Sequence, residues 1–105
     1  MDIRDTIVSA LREKYLPLGI AVYGSFADGS NNQNSDFDAL LLLPEGEVGH
    51  DGSELFGTEL DVWIYPVAHF DAPYDVEDFL QLWDSEIVED TTGRLAALRA
   101  EVNAY

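Results

Sequence analysis

The feature that most constrains this chain is an unbroken apolar run, Ala39-Leu40-Leu41-Leu42-Leu43, with two aspartates, Asp36 and Asp38, at its mouth. A continuous apolar strand belongs in the middle of a sheet, covered on both faces for at least part of its length. Aspartate is depleted in strands. Asp36 and Asp38, one residue apart, share a face because strand side chains alternate. Beside buried leucines they cost stability unless they are solvated, protonated or neutralised by cations. A site at the start of this strand is therefore the first expectation.

The rest of the chain supplies a small mixed fold around that strand. Residues 2 to 16 read as an amphipathic helix, with Asp2 as N-cap and Ile3, Ile7, Val8, Leu11 and Tyr15 on one stripe. Pro17 ends it. Leu18 to Tyr23 is an apolar strand closed by Gly24-Ser25, and Ser25 to Gly29 can form a helical turn. Asn31, Asn32, Gln33 and Asn34 make a polar loop. Pro44 to Gly57 contains four glycines and reads as a loose connection between two antiparallel strands. Thr58 to Tyr65 is the next strand, with Glu59, Asp61, Trp63 and Tyr65 on one face and Leu60, Val62 and Ile64 on the other. Asp75 to Trp83 reads as a short helix with Val76, Phe79, Leu80 and Trp83 inward. Glu86 to Glu89 is a short strand, and Gly93 to about Ala104 a final helix with Leu95, Leu98, Val102 and Tyr105 inward. The fold class expected is α/β (α+β): a mixed sheet with helices mainly on one face. Residues 1–105 are expected to form one domain.

Charge narrows the function. Twenty-one Asp and Glu against five Lys and Arg give a formal charge of −16. Such a surface repels nucleic-acid backbones, so neither DNA nor RNA is an expected partner. Solubility, adaptation to high salt and attraction of a basic protein partner all remain open readings of it. There is no cysteine, hence no disulfide framework and no thiolate metal site. No apolar run approaches the ~20 residues that span a bilayer, and the acidic start lacks the pattern of a signal peptide. A cytoplasmic location is the expectation.

Asp61 joins the pair if its strand lies beside Asp36 and Asp38, which an antiparallel pairing of the two strands would allow. Three carboxylates so close cannot all stay ionised without compensation. Hard divalent cations supply it: Mg²⁺ takes one or two carboxylates plus substrate phosphates. Two such ions about 3.5–4 Å apart can activate an attacking oxygen and stabilise a leaving one. The amides of the Gly24-Ser25 turn and the Ser25 hydroxyl suit a triphosphate. No lysine follows Gly29, which excludes a Walker-type phosphate loop. Glu59 is the local rival of Asp61 on the same face; the shorter side chain is favoured for a rigid metal site.

Gly24-Ser25-Phe26-Ala27-Asp28-Gly29, then Ser35-Asp36-Phe37-Asp38, then Glu59-Leu60-Asp61-Val62, resembles the nucleotidyltransferase fold of the DNA polymerase β superfamily, and its minimal members in size. The segment Ile87 to Leu95 is similar to the one that commonly closes that domain. The resemblance implies that Gly24 and Ser25 hold nucleotide phosphates. It implies that Asp36 and Asp38 bind Mg²⁺, and that Asp61 is the third carboxylate, aiding a second metal or acting as base. The implied reaction is attack on the α-phosphate of a nucleoside triphosphate, ATP by preference, by a hydroxyl of a protein or small molecule, as in antibiotic adenylyltransferases. Many relatives have an arginine where Asp28 stands; Arg94 or a partner chain is then the candidate cation for the leaving pyrophosphate. The alternative is an antitoxin-like protein that pairs with a HEPN-type toxin, with catalysis weak or lost.

His50 and His69 are lone loop histidines, read as exposed or locally bonded rather than as ligands or bases. Trp63 and Tyr65 share a face with Asp61, as Leu40 and Leu42 do with Asp38. An uncovered patch there would mark a partner or self-association surface, unless a helix or the long loop folds over it.

Overall fold

A computed structural model describes residues 3–31 and 35–105. The cap expected of Asp2 and the loop residues Asn32, Gln33 and Asn34 lie outside them.

The first helix, α1 (Ile3–Tyr15), buries Ile7, Val8 and Leu11. It closes at Leu16, whose amide bonds the Arg12 carbonyl at 2.9 Å in a left-handed conformation (φ 50°) just ahead of Pro17. Strand β1 (Gly19–Tyr23) is buried throughout, and a one-turn helix, α2 (Ser25–Asp28), follows it. β2 (Phe37–Leu43) is the apolar strand. Two short strands, β3 (Gly49–Asp51) and β4 (Glu54–Leu55), precede the long β5 (Thr58–Pro66). Two 3-10 segments, Val67–Asp71 and Val76–Leu82, lead to β6 (Glu86–Asp90) and the last helix, α3 (Arg94–Ala104).

The main sheet runs β3-β5-β2-β1-β6, with β4 paired to β5. It is mixed, as expected, and β2 is central. β1 pairs antiparallel with β2 and with β6. The β2–β5 pair, however, is parallel, from Phe37↔Leu60 to Leu43↔Pro66. The antiparallel pairing expected for these strands is corrected by what lies between them. The connection after Pro44 is not a loose loop. It passes the β5 position, lays β3 antiparallel along the outer edge, and turns back through β4. The turn is the two-residue link Phe56-Gly57, both with positive φ (52° and 81°), the geometry that suits a tight hairpin. β5 then starts at the same end of the sheet as β2, and a connection of this length is what a parallel pair requires.

Alternation along β2 splits the core in two. Phe37, Ala39 and Leu41 pack with Ile7, Val8 and Leu11 of α1. Leu40 and Leu42 pack on the opposite face with Leu95, Leu98 and Val102 of α3 and with Phe70, Phe79 and Leu82. Helices thus cover both faces rather than mainly one. Two apolar faces on β2 leave no other solution, since one helical layer buries only half of its side chains. The segment expected as an α-helix from Asp75 is a 3-10 stretch with Phe79 outside helical geometry. Its period of three turns Phe79 and Leu82 inward and leaves Leu80 and Trp83 exposed. Tyr105, expected inward, is exposed beyond the end of α3. Asp90 accepts from the amides of Leu95 and Ala96, so the last carboxylate of β6 caps α3. Among the described residues no helix is long and apolar enough to cross a membrane.

Candidate functional site

The site forms where β1 ends and β2 begins. Tyr23, the last residue of β1, stands across from Asp38 on one side, and Asp61 of β5 stands across from Asp38 on the other. The parallel register therefore sets Asp61 beside Asp38, as the antiparallel arrangement was expected to do, but among the described residues it does not gather the expected group of three acids. Glu59, the rival of Asp61, is exposed and faces Glu54 of β4 instead.

Gly24 closes the floor. Its φ of 71° and ψ of −153° lie in a region essentially restricted to glycine. A Cβ there would stand 2.4 Å from Asp38 Oδ2. Glycine is thus required twice, for the sharp turn and for the carboxylate lying against it. The Gly24 carbonyl accepts from the amides of Ala27 and Asp28, so the amides of Ser25 and Phe26 precede that ladder. Phe26 is buried and meets Phe37 edge-on, ring centres 5.3 Å apart. This contact pins the turn to the strand that carries the aspartates. Asp28 accepts from the Ser30 hydroxyl and, at 2.9 Å, from the Ser30 amide, and these contacts lower its carboxyl below the usual range.

Asp38 is the perturbed group. Burial, the charge of Asp61, a hydrogen bond shared with Asp61 and the charge of Asp36 together push its carboxyl up to about 6. On the neighbouring strand, the Tyr23 phenol is pushed up by burial and by the charges of Asp61 and Asp38, so it stays neutral. Asp36 lies just before β2, exposed, and acts on Asp38 through its charge. Among the described residues no three His, Asp or Glu side chains stand ready as an ion cage. Asp38 and Asp61 are instead an oxygen-donor pair that shares a hydrogen bond beside the charge of Asp36. That donor set fits a hard cation completed by phosphate oxygens.

Asp61 has a second neighbour that the sequence reading placed elsewhere. His50 Nε2 lies 2.6 Å from Asp61 Oδ1, and the His50 ring rests on Trp63 with centres 4.7 Å apart. His50 was read as a loop residue because its flanking glycines look like turns. It lies on β3, directly opposite Trp63. Only the β3–β5 register reveals this, and a three-residue strand carries no usable period.

The five basic side chains are all engaged elsewhere. Arg4 pairs with Glu86 and Arg12 with Glu89, tying α1 to β6. Lys14 bonds Asp51, and Arg99 bonds the Ser85 carbonyl. Arg94, the candidate cation for a leaving pyrophosphate, stacks over Phe70 and Tyr74 and bonds the Tyr74 hydroxyl. It starts α3 beyond Asp90, which pairs with Gly19 at the far end of β1 from Tyr23. His69 is embedded among Tyr65, Phe70 and Phe79. The same aromatic layer covers Leu40, Leu42 and Tyr65. Of the expected patch beside the acids, only Trp63 is left open, at 40% exposure.

Residues 4–83, which hold the turn and all three aspartates, match the family described as nucleotidyltransferase domain. The chain belongs to that family. Nucleotidyltransferase domains of this kind generally work with a divalent metal, consistent with the oxygen-donor pair. Several solved structures share the fold, among them two described as toxin-antitoxin proteins. One is described as a toxin-antitoxin with AMP-PNP, 14% identical, with a TM-score of 0.58. The other is described as a mutant of the toxin-antitoxin MntA-HpeT, 12% identical, with a TM-score of 0.57. Each alignment covers 96% of this nucleotidyltransferase and 84% of the other chain. No curated protein matches its sequence.

Proposed function

We propose that this nucleotidyltransferase moves a nucleoside monophosphate, AMP from ATP, onto a hydroxyl of a protein or small molecule with the help of Mg²⁺. The observation that carries the reading is the in-register pair Asp38 and Asp61 beside Gly24, with the Asp38 carboxyl raised by burial and by the neighbouring negative charge.

Gly24 and Ser25 hold the phosphates: the turn brings backbone amides to the ligand with no Cβ in the way. Asp36 and Asp38 would hold Mg²⁺, and Asp61 would be the third carboxylate, helping to hold a second ion or acting as base. When bound, the ions neutralise the phosphates and polarise the α-phosphorus. The acceptor oxygen forms a bond to that phosphorus while the α–β phosphoanhydride bond breaks, and pyrophosphate leaves with the electron pair. Asp61, as base, takes the hydroxyl proton. Tyr23 stays neutral beside the carboxylates and offers no competing charge.

A second reading accompanies the first. Both structural neighbours are described as toxin-antitoxin proteins, one with a nucleotide analogue. The other carries substitutions at two aspartates two positions apart, the spacing of Asp36 and Asp38. In this reading the chain is the antitoxin-like partner of a HEPN-type toxin. The acidic surface and the engagement of every basic side chain favour a basic partner.

The test is incubation with α-labelled ATP, Mg²⁺ and candidate acceptors, including any co-purifying protein. The reading expects label on an acceptor with the parent and none with Asp36→Asn plus Asp38→Asn. Neither nucleotide binding nor transfer by the parent would contradict it. Purification from the native source as a clean monomer would count against the partner.

A further inference from the structure

We propose that His50 is a positioning residue of this site, fixing the orientation of the Asp61 carboxylate. The inference rests on the nucleotidyltransferase reading and adds to it a residue from outside the motif.

Three observations converge on it. His50 sits opposite Trp63 in the β3–β5 register, so its side chain emerges on the face that carries Asp61 and Trp63. Its ring lies against Trp63, and that contact restricts the direction in which Nε2 points. Nε2 then meets Asp61 Oδ1 at 2.6 Å. A carboxylate with one oxygen held has fewer orientations open to it, and Asp61 also shares a hydrogen bond with its strand neighbour Asp38.

The edge strand itself is anchored for this task. Asp51, the residue after His50, is 8% exposed and accepts from Lys14 Nζ at 3.0 Å, from the Tyr15 hydroxyl at 2.5 Å, and from the amide and hydroxyl of Ser53. An edge strand of three residues is otherwise a poor platform, since few ladder bonds hold it. The Asp51 network ties it to the end of α1 and so fixes where His50 starts.

Partners that orient ligating carboxylates typically change metal affinity or activity by about 10–100-fold when removed. The experiment compares the parent with His50→Ala and His50→Gln; the glutamine amide offers an N–H at nearly the reach of Nε2. Mn²⁺ is titrated into each protein, following loss of the free ion's paramagnetic resonance signal, and kcat and KM for ATP are measured separately. The proposal expects Mn²⁺ affinity and kcat to fall by about 10-fold in His50→Ala, with KM for ATP little changed and recovery of most of the loss in His50→Gln. Thermal melting checks that both variants are folded; where His50→Ala is not, His50→Phe, which keeps a ring on Trp63 but offers no nitrogen to Asp61, takes its place. Parent-like Mn²⁺ binding and kcat in His50→Ala would overturn this assignment and leave the nucleotidyltransferase reading standing. So would a folded His50→Gln that binds no better than His50→Ala. A parent that binds no Mn²⁺ would overturn both.

Discussion

Asp38 and Asp61 are direct neighbours on two parallel strands, and the first is pushed up to about 6 partly by the charge of the second. The folded chain thus holds a proton on Asp38 that the unfolded chain releases near pH 4. Between these values the folded state binds more protons, so stability falls as pH rises through the window and levels off above it. Asp38→Asn removes the charge that causes this. In metal-free buffer at pH 8 the variant should melt higher than the parent, and the advantage should shrink below pH 5. Added Mg²⁺ should raise the parent's melting temperature at pH 8 and leave the variant's unchanged. Melting curves at three pH values, with and without Mg²⁺, check both signs.

Gly24→Ala places a methyl group 2.4 Å from Asp38 Oδ2 and forces a side chain into glycine's region of φ and ψ. The backbone alone should cost about 1–3 kcal/mol. Denaturant unfolding should show that loss, and nucleotide binding should weaken further because the carboxylate must move. Gly29→Ala is the control: its added Cβ meets nothing within 4 Å, and its loss should come from the positive φ alone.

Asp51 illustrates the opposite electrostatic sign. Burial pushes its carboxyl up, but hydrogen bonds from Ser53, Tyr15 and Lys14 outweigh it and hold the group well below the usual carboxylate range. Its stabilisation is present at neutral pH and is lost as pH falls below the ordinary carboxylate value. Asp51→Ala should destabilise by about 2–3 kcal/mol, chiefly through the donors of Tyr15 and Ser53 left unpaired. Amide exchange should quicken first along β3, and the parent should approach the variant's stability towards pH 2.

The apolar run of β2 and the spacing of Asp36 and Asp38 were legible because a period of two and a buried strand leave direct marks on a sequence. Asp61 was legible as a strand aspartate on the polar face. Strand direction was not, because it depends on β3 and β4, which are too short to show a period and are rich in glycine. His50 was read only as a loop residue, and Asp51 went unread, for the same reason: their meaning lies in which strand they sit beside. Leu80 and Trp83 misled because a helical stripe was assumed where Phe79 breaks the helix and Leu82 takes the inward place. Arg94 was named, beside a partner chain, as a candidate cation for the pyrophosphate by type alone, whereas its guanidinium lies over Phe70 and Tyr74.

The most direct measurement of the central claim is calorimetric titration of ATP into the parent and into Asp36→Asn plus Asp38→Asn, with Mg²⁺ and with a chelator. The account predicts saturable binding to the parent that requires Mg²⁺ and is abolished in the double variant. Absence of binding to the parent, or equal binding by the variant and in chelator, would contradict it.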